Sequence, residues 1–139
     1  MELKTPLYNH QRLAFEKLCK IKVGALYMEM GTGKTRTALE LAYKRFEKGK
    51  IEKVLWLCPC SARETIKREL EKHVEGFEDY FIIKGIESLS SSVRLNLELL
   101  DLVNNQRVML IIDESNMVKN HYAKRTMNIT RLSLYCDYK

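Results

Sequence analysis

Short, nearly continuous apolar runs alternate along the chain with stretches whose apolar residues recur at helical spacing. The runs are VGALYM (23–28), VLWLC (54–58), YFIIKGI (80–86) and VMLIID (108–113), all rich in β-branched or aromatic residues. Strands covered on both faces have this composition, because neither face needs a polar alternate. Between them, residues 35–48 place Ala38, Leu39, Ala42 and Phe46 on one face and stop before Gly49. Residues 62–74 follow Ser61, with Glu64 three positions on, the S-x-x-E spacing of a capping box. A third helix over 92–103 carries Val93, Leu97 and Leu100 on one stripe and is closed by Asn104-Asn105. The order βαβαβ predicts an α/β fold with a mainly parallel sheet and helices on both faces. No repeat, low-complexity segment or linker divides the 139 residues, so one core is expected.

Composition agrees with this picture: 45% hydrophobic and 30% charged residues are enough apolar material for a globular core and too much for a disordered chain. A net charge of +6 suits a partner that carries phosphates, although basic proteins without such partners are common. No apolar run approaches the ~20 residues that span a bilayer, and the start of the chain has no signal-like segment, so the expected location is cytoplasmic. Cys58 and Cys60 form a C-x-C, and Cys19 and Cys136 stand alone. Structural zinc sites want paired C-x₂₋₄-C spacings, so buried reduced thiols are expected. His10, His73 and His121 have no ligand spacing and read as solvated or capping residues.

Candidate chemistry begins where the first run meets the first helix, at Gly31-Thr32-Gly33-Lys34-Thr35. A strand, a glycine-rich turn and a helix direct successive N–H groups and the helix N-terminus at phosphate oxygens. There, Lys34 would reach the β- and γ-phosphates and the Thr35 hydroxyl would bind Mg²⁺. The full G-x-x-x-x-G-K-[ST] spacing wants glycine where Met28 stands, so a tight turn with a solvated lysine is the competing reading. A second feature weighs against that alternative. The last run ends in Asp113-Glu114, where one carboxylate could hold Mg²⁺ and its neighbour orient an attacking water. A strand running into an acidic helix cap explains either residue alone, but not the ordered pair of motifs.

In this order LYNHQRLAFEKL, MEMGTGKT, VLWLCPCSARETIKREL, FIIKGIESLS and LIIDESNMVKN resemble the first RecA-like domain of superfamily 2 DNA helicases and translocases. The Swi/Snf-like branch, in its short phage or bacterial form, is the most similar, and it tolerates a residue such as Met28. The resemblance implies a P-loop nucleoside triphosphatase that binds ATP and Mg²⁺, with Lys34, Asp113 and Glu114 in catalytic roles. It implies nucleotide contacts from Met30, Gly31, Thr32, Gly33, Lys34, Thr35 and Arg36, and Mg²⁺ held through Thr35 and Asp113. It also makes Gln11 the adenine reader. A carboxamide matches the N7 acceptor and N6 donor of adenine side by side, whereas without the resemblance Gln11 reads as a solvated helix residue. Tyr8 is either a packing partner for the base or a core tyrosine.

The same resemblance places nucleic-acid contacts at Pro59 and Ser61, where a helix cap is the bland alternative, and at Glu87 and Ser88, with Ser90 beside them. DNA, double-stranded in the first place, is the implied partner, with RNA left open. Arg63, Lys67, Arg68 and Lys72 alternate with Glu64, Glu69 and Glu71 and read as a salt-laced solvated helix face. Asn116 stands where the family carries a histidine that couples ATP to the following motif. Residues 1–139 are expected to be a single helicase ATP-binding domain that ends before the threonine-glycine motif and before a second RecA-like domain, which a separate chain could supply. The sheet is correspondingly expected to be incomplete. The competing function is a nucleic-acid- or partner-binding module whose ATP site is vestigial.

Overall fold

The structure, a computed structural model, describes residues 2–4, 6–24, 34–76, 79–113, 130–136 and 138–139. In chain order the elements are β1 (Glu2–Leu3), α1 (Asn9–Leu18), α2 (Lys34–Glu47), β2 (Lys53–Cys58) and a 3₁₀ turn (Cys60–Ala62). They continue with α3 (Arg63–His73), β3 (Val74–Glu75), β4 (Phe81–Gly85), α4 (Ile86–Ser91), α5 (Val93–Asn105) and β5 (Val108–Ile112). Three of the four apolar runs are therefore strands, and residues 25–28 of the first lie outside the described residues.

β2 lies between β4 and β5 and pairs with both in parallel, Leu55 opposite Ile82 on one side and Leu110 on the other. Successive strand residues point to opposite faces. Val54, Trp56 and Cys58 meet Leu39, Ala42, Ile66 and Leu70 of α2 and α3. Leu55 and Leu57 meet Ile86, Leu89, Leu99 and Val103 of α4 and α5. Residues 54–58 are all buried, which is why the run has no polar alternate. This is the expected α/β architecture, a parallel sheet covered on both faces, and it is a RecA-like core.

Helix ends follow local chemistry in some places and tertiary packing in others. At the end of α2, Gly49 takes φ 66°, with its N–H bonded to Phe46 O and the Lys50 N–H to Arg45 O. That is a Schellman closure, which wants glycine at the left-handed position. At α5 the Ser92 hydroxyl accepts from Leu95 N–H at 3.1 Å. The expected cap by Ser61 does not form: α3 has Ala62 at its N-cap and no side-chain cap bond, because the 3₁₀ turn intervenes. The stripe expected on α5 is also corrected. Val93 and Leu97 are exposed while Leu99 and Val103 are buried. A helix with leucines nearly all round offers more than one stripe, and contact with Leu55 and Leu110 selects which is covered.

At the start of the strands, Arg107 closes the sheet. Its guanidinium donates to Glu52 Oε1 at 3.0 Å and to Gly49 O at 2.6 Å, while the Glu52 N–H donates to Arg107 O at 2.7 Å. At the outer side of β5, Tyr138 forms a parallel bridge with Met109, and Leu110 N–H donates to Tyr138 O. Lys139 bonds through both backbone groups to residues 22 and 24. Residues 138–139 thus lie between β5 and the segment entering the first apolar run. The buried Arg45 fastens them from below, with its guanidinium 4.5 Å from the Tyr138 ring centroid and Nη2 donating to Ile21 O at 2.9 Å.

Trp56 is the single tryptophan, and its buried Nε1–H has no hydrogen-bond partner among the described residues. An orphan donor costs roughly 1–3 kcal/mol. Trp56→Ala is expected to cost about 3–5 kcal/mol, whereas Trp56→Phe, which removes the orphan along with some area, should cost under about 2 kcal/mol. Urea titration followed by circular dichroism measures both.

Candidate nucleotide and nucleic-acid site

Parallel pairing brings the C-terminal ends of β2, β4 and β5 to one edge of the sheet, the place where α/β folds bind ligands. The last turn of α2 lies at the opposite edge, since Gly49 O accepts from the guanidinium of Arg107 just before β5. A helix of 14 residues is about 21 Å long, close to the ~17–20 Å of a five- or six-residue strand. Its first turn, Lys34 and Thr35, is thereby carried towards the edge where the strands end. Both side chains are half-buried there, and the N–H groups of a first helical turn have no intrahelical partners. At the same edge Asp113, half-buried, donates its N–H to Leu57 O at 2.8 Å and so continues the β2–β5 pairing one residue past the strand. Met30, Gly31, Thr32, Gly33 and Glu114 lie outside the described residues, as does Asn116.

Gln11 is not solvated. It is buried in the first turn of α1, and its Oε1 accepts from Tyr8 N–H at 2.9 Å. This bond closes the first turn of the helix and holds the carboxamide in a set orientation. Tyr8 is exposed, and its ring is stacked at 6.2 Å on His10, so the core reading of this tyrosine is corrected. Arg36 is buried, with Nη1 2.8 Å from Glu40 Oε2 in an ion pair whose angle falls short of a hydrogen bond. Arg36 and Glu40 form one wall of a cleft of about 350 Å³, and Pro6, Leu7, Arg12 and Phe15 the other.

On the other side of β2 the structure joins two segments that are far apart in sequence. The Cys60 N–H donates to Glu87 Oε2 at 2.8 Å, and Cys60 Sγ lies 3.7 Å from Ser88 Oγ. Pro59, Ser61, Glu87 and Ser88 are consequently neighbours on one surface. Sequence reasoning missed Cys60 and Gly85, which make this junction. No local signal marks it, because nothing in the sequence says what faces Gly85. Ser61 is exposed, and neither its N–H nor its hydroxyl has a partner among the described residues. The reading of α3 as a solvated face holds, since Arg63, Lys67, Arg68 and Lys72 are all exposed, but among the described residues none of the four is in an ion pair, and the bridge on this helix is His73–Glu69 at 3.3 Å.

With this geometry in place, comparison with known proteins identifies the family. A family model described as type III restriction enzyme, res subunit, matches residues 4–80, more than half of the 139. The chain belongs to this family. The res-subunit family is a branch of superfamily 2 helicase domains, which agrees with the resemblance carried by the motifs. Among solved structures, the chain is similar to the Sulfolobus solfataricus SWI2/SNF2 ATPase core in complex with dsDNA, with a TM-score of 0.77 and 22% identity. The alignment covers 98% of this chain and 31% of that one, and it establishes the shared fold. No curated protein matches the chain significantly. Among the described residues, no helix is long and apolar enough to cross a membrane.

None of the four cysteines is in a disulfide, and they divide by burial: Cys58 and Cys136 are buried, Cys19 and Cys60 exposed. The expectation of four buried thiols is therefore corrected for two. Burial pushes the Cys58 thiol up to about 11, and the neighbouring Asp113 carboxylate adds to the shift. The fold thus favours the neutral thiol. Its contribution to stability is complete below the ordinary thiol value of 9.0 and is lost as the pH rises towards about 11. Iodoacetamide at neutral pH should label Cys60 and leave Cys58 untouched until the protein is unfolded or the pH is taken towards that value. Peptide mass spectrometry distinguishes the two.

Proposed function

We propose that residues 1–139 are the first RecA-like, ATP-binding domain of an ATP-dependent DNA helicase or translocase motor. What supports this reading is that Lys34-Thr35 open α2 and Asp113 directly follows β5, so that the length of the helix and the common direction of the strands carry all three towards one edge of the sheet. A cation, a hydroxyl and a carboxylate in that arrangement are the donor set that Mg·ATP requires. Lys34 would meet the β- and γ-phosphates, and Thr35 and Asp113 would hold Mg²⁺, which neutralises charge between the phosphates when bound. Glu114 would orient the attacking water. Gly31 to Gly33 would supply backbone N–H groups, with Met30 and Arg36 flanking them. The base would lie towards Gln11 and the cleft between Arg36 and Leu7, where the fixed carboxamide can read one edge of adenine.

DNA enters this proposal as the partner of the loop 59–61 and α4. The structural neighbour is a complex with dsDNA, and Ser61 presents an N–H and a hydroxyl that nothing in the described protein uses. Such a pair suits a phosphate oxygen, which positions a strand without reading its sequence. The second motor domain and its arginine would come from further chain or from another protein.

Isothermal titration tests the nucleotide site. Lys34→Ala should weaken Mg·ATP about tenfold to a hundredfold, the scale of roughly 1.5–3 kcal/mol for a hydrogen bond to a charged group, and leave adenosine binding unchanged. Equal losses for both ligands would remove Lys34 from the phosphates. An arginine finger contributes about 10³–10⁵ in rate, so turnover by these residues alone should stay near background. Robust DNA-stimulated hydrolysis abolished by Glu114→Gln would show instead that the 139 residues complete the site by themselves.

A further inference from the structure

We propose that Glu87 is a positioning residue for DNA: its carboxylate holds the loop 59–61 in the conformation that leaves Ser61 free to take a phosphate. This rests on the DNA reading above and assigns Glu87 a role other than touching the strand.

The backbone donors of the loop show why. Pro59 has no N–H. The Ala62 N–H donates to Pro59 O at 2.8 Å, and the Arg63 N–H to Cys60 O. Cys60 N–H is taken by Glu87 Oε2 at 2.8 Å. Ser61 is left at the surface with an N–H and a hydroxyl that have no partner among the described residues. The loop keeps this arrangement only while Cys60 stays seated on the β4–α4 junction. The seat is close: a β-carbon at Gly85 would overlap Cys60 Sγ, so the absence of a side chain there lets the loop approach. Cys60 Sγ beside Ser88 Oγ at 3.7 Å completes the contact.

An ionised carboxylate is acceptor-only and repels a phosphate, so Glu87 is poorly suited to grip DNA directly. Its acceptor is what the loop uses. Gln retains an acceptor at the same reach and Ala does not. The two substitutions therefore separate positioning from electrostatics.

The test is fluorescence anisotropy with a labelled duplex oligonucleotide at low ionic strength, alongside a urea midpoint and Mg·ATP affinity for each variant. Glu87→Ala is expected to weaken DNA about tenfold, the scale of one hydrogen bond to a charged group, with the midpoint and ATP affinity unchanged. Glu87→Gln should bind DNA at least as well as the parent. On a Ser61→Ala background the Glu87→Ala loss should vanish, because both changes remove one interaction. Gly85→Ala, which unseats Cys60 by sterics with Glu87 intact, should reproduce the loss, and adding Cys60→Ala should recover part of it. Tighter binding by both Glu87 variants would make the residue a simple repulsive charge and overturn the proposal. An equal Glu87→Ala loss with and without Ser61 would overturn it as well. If Ser61→Ala has no effect on DNA, the DNA reading of the loop fails. If Ser61→Ala weakens binding and Glu87→Ala does not, only the positioning role fails.

Discussion

The parallel pairing of β2 with strands on both sides is the constraint from which the rest of the molecule follows. A strand flanked on both edges and covered on both faces can carry no solvent-facing side chain, and residues 54–58 carry none. Parallel neighbours must be joined by crossovers, so α3 between β2 and β4, and α4 and α5 between β4 and β5, are obliged to run back across the two faces. The same geometry sends every strand's C-terminal end to one edge. Asp113, the loop after Cys58 and the junction after Gly85 share that edge because the strands share a direction.

Chemistry is then divided along the edge by the order of the strands. α2 brings Lys34 and Thr35 towards it on the face of the sheet that Trp56 and Cys58 pack, and Asp113 extends the pairing beyond β5. On the other side of β2, β4 ends in the turn that receives Cys60. β2 touches both halves, through its pairing with β5 on one side and β4 on the other. A nucleotide at the first half and a nucleic-acid backbone at the second would be joined by a stiff, fully buried strand rather than by a loop.

Buried polar groups mark where the fold gives up stability for placement. Gln11 and Arg36 are buried beside the cleft, each with a nearby partner, and Arg45 is buried against a carbonyl and an aromatic ring. Burying such groups is costly unless they are paired. Their positions on α1 and α2, next to the proposed base and below the C-terminal residues, put rigid polar side chains where a wholly apolar core would have left no orientation.

Strands and long helices were legible in the sequence because their signals are local. β2, β4, β5 and α2 appear there within a residue or two, since a continuous apolar run or a helical period closed by Gly49 depends on nothing distant. The Gly-Lys-Thr and Asp-Glu motifs were legible for the same reason, as was the fold class they imply together. Tertiary structure decided everything that two surfaces settle jointly. It chose Leu99 and Val103 over Val93 and Leu97 on a helix with apolar residues all round, and it moved Ser61 out of the cap position by inserting a 3₁₀ turn. It buried Gln11, exposed Tyr8, and paired β1 with β3, each of two residues and too short to show a period. It also set Cys60 over Gly85, a contact between residues 25 apart whose only requirement, the absence of a side chain, has no signature until the partner surface is known.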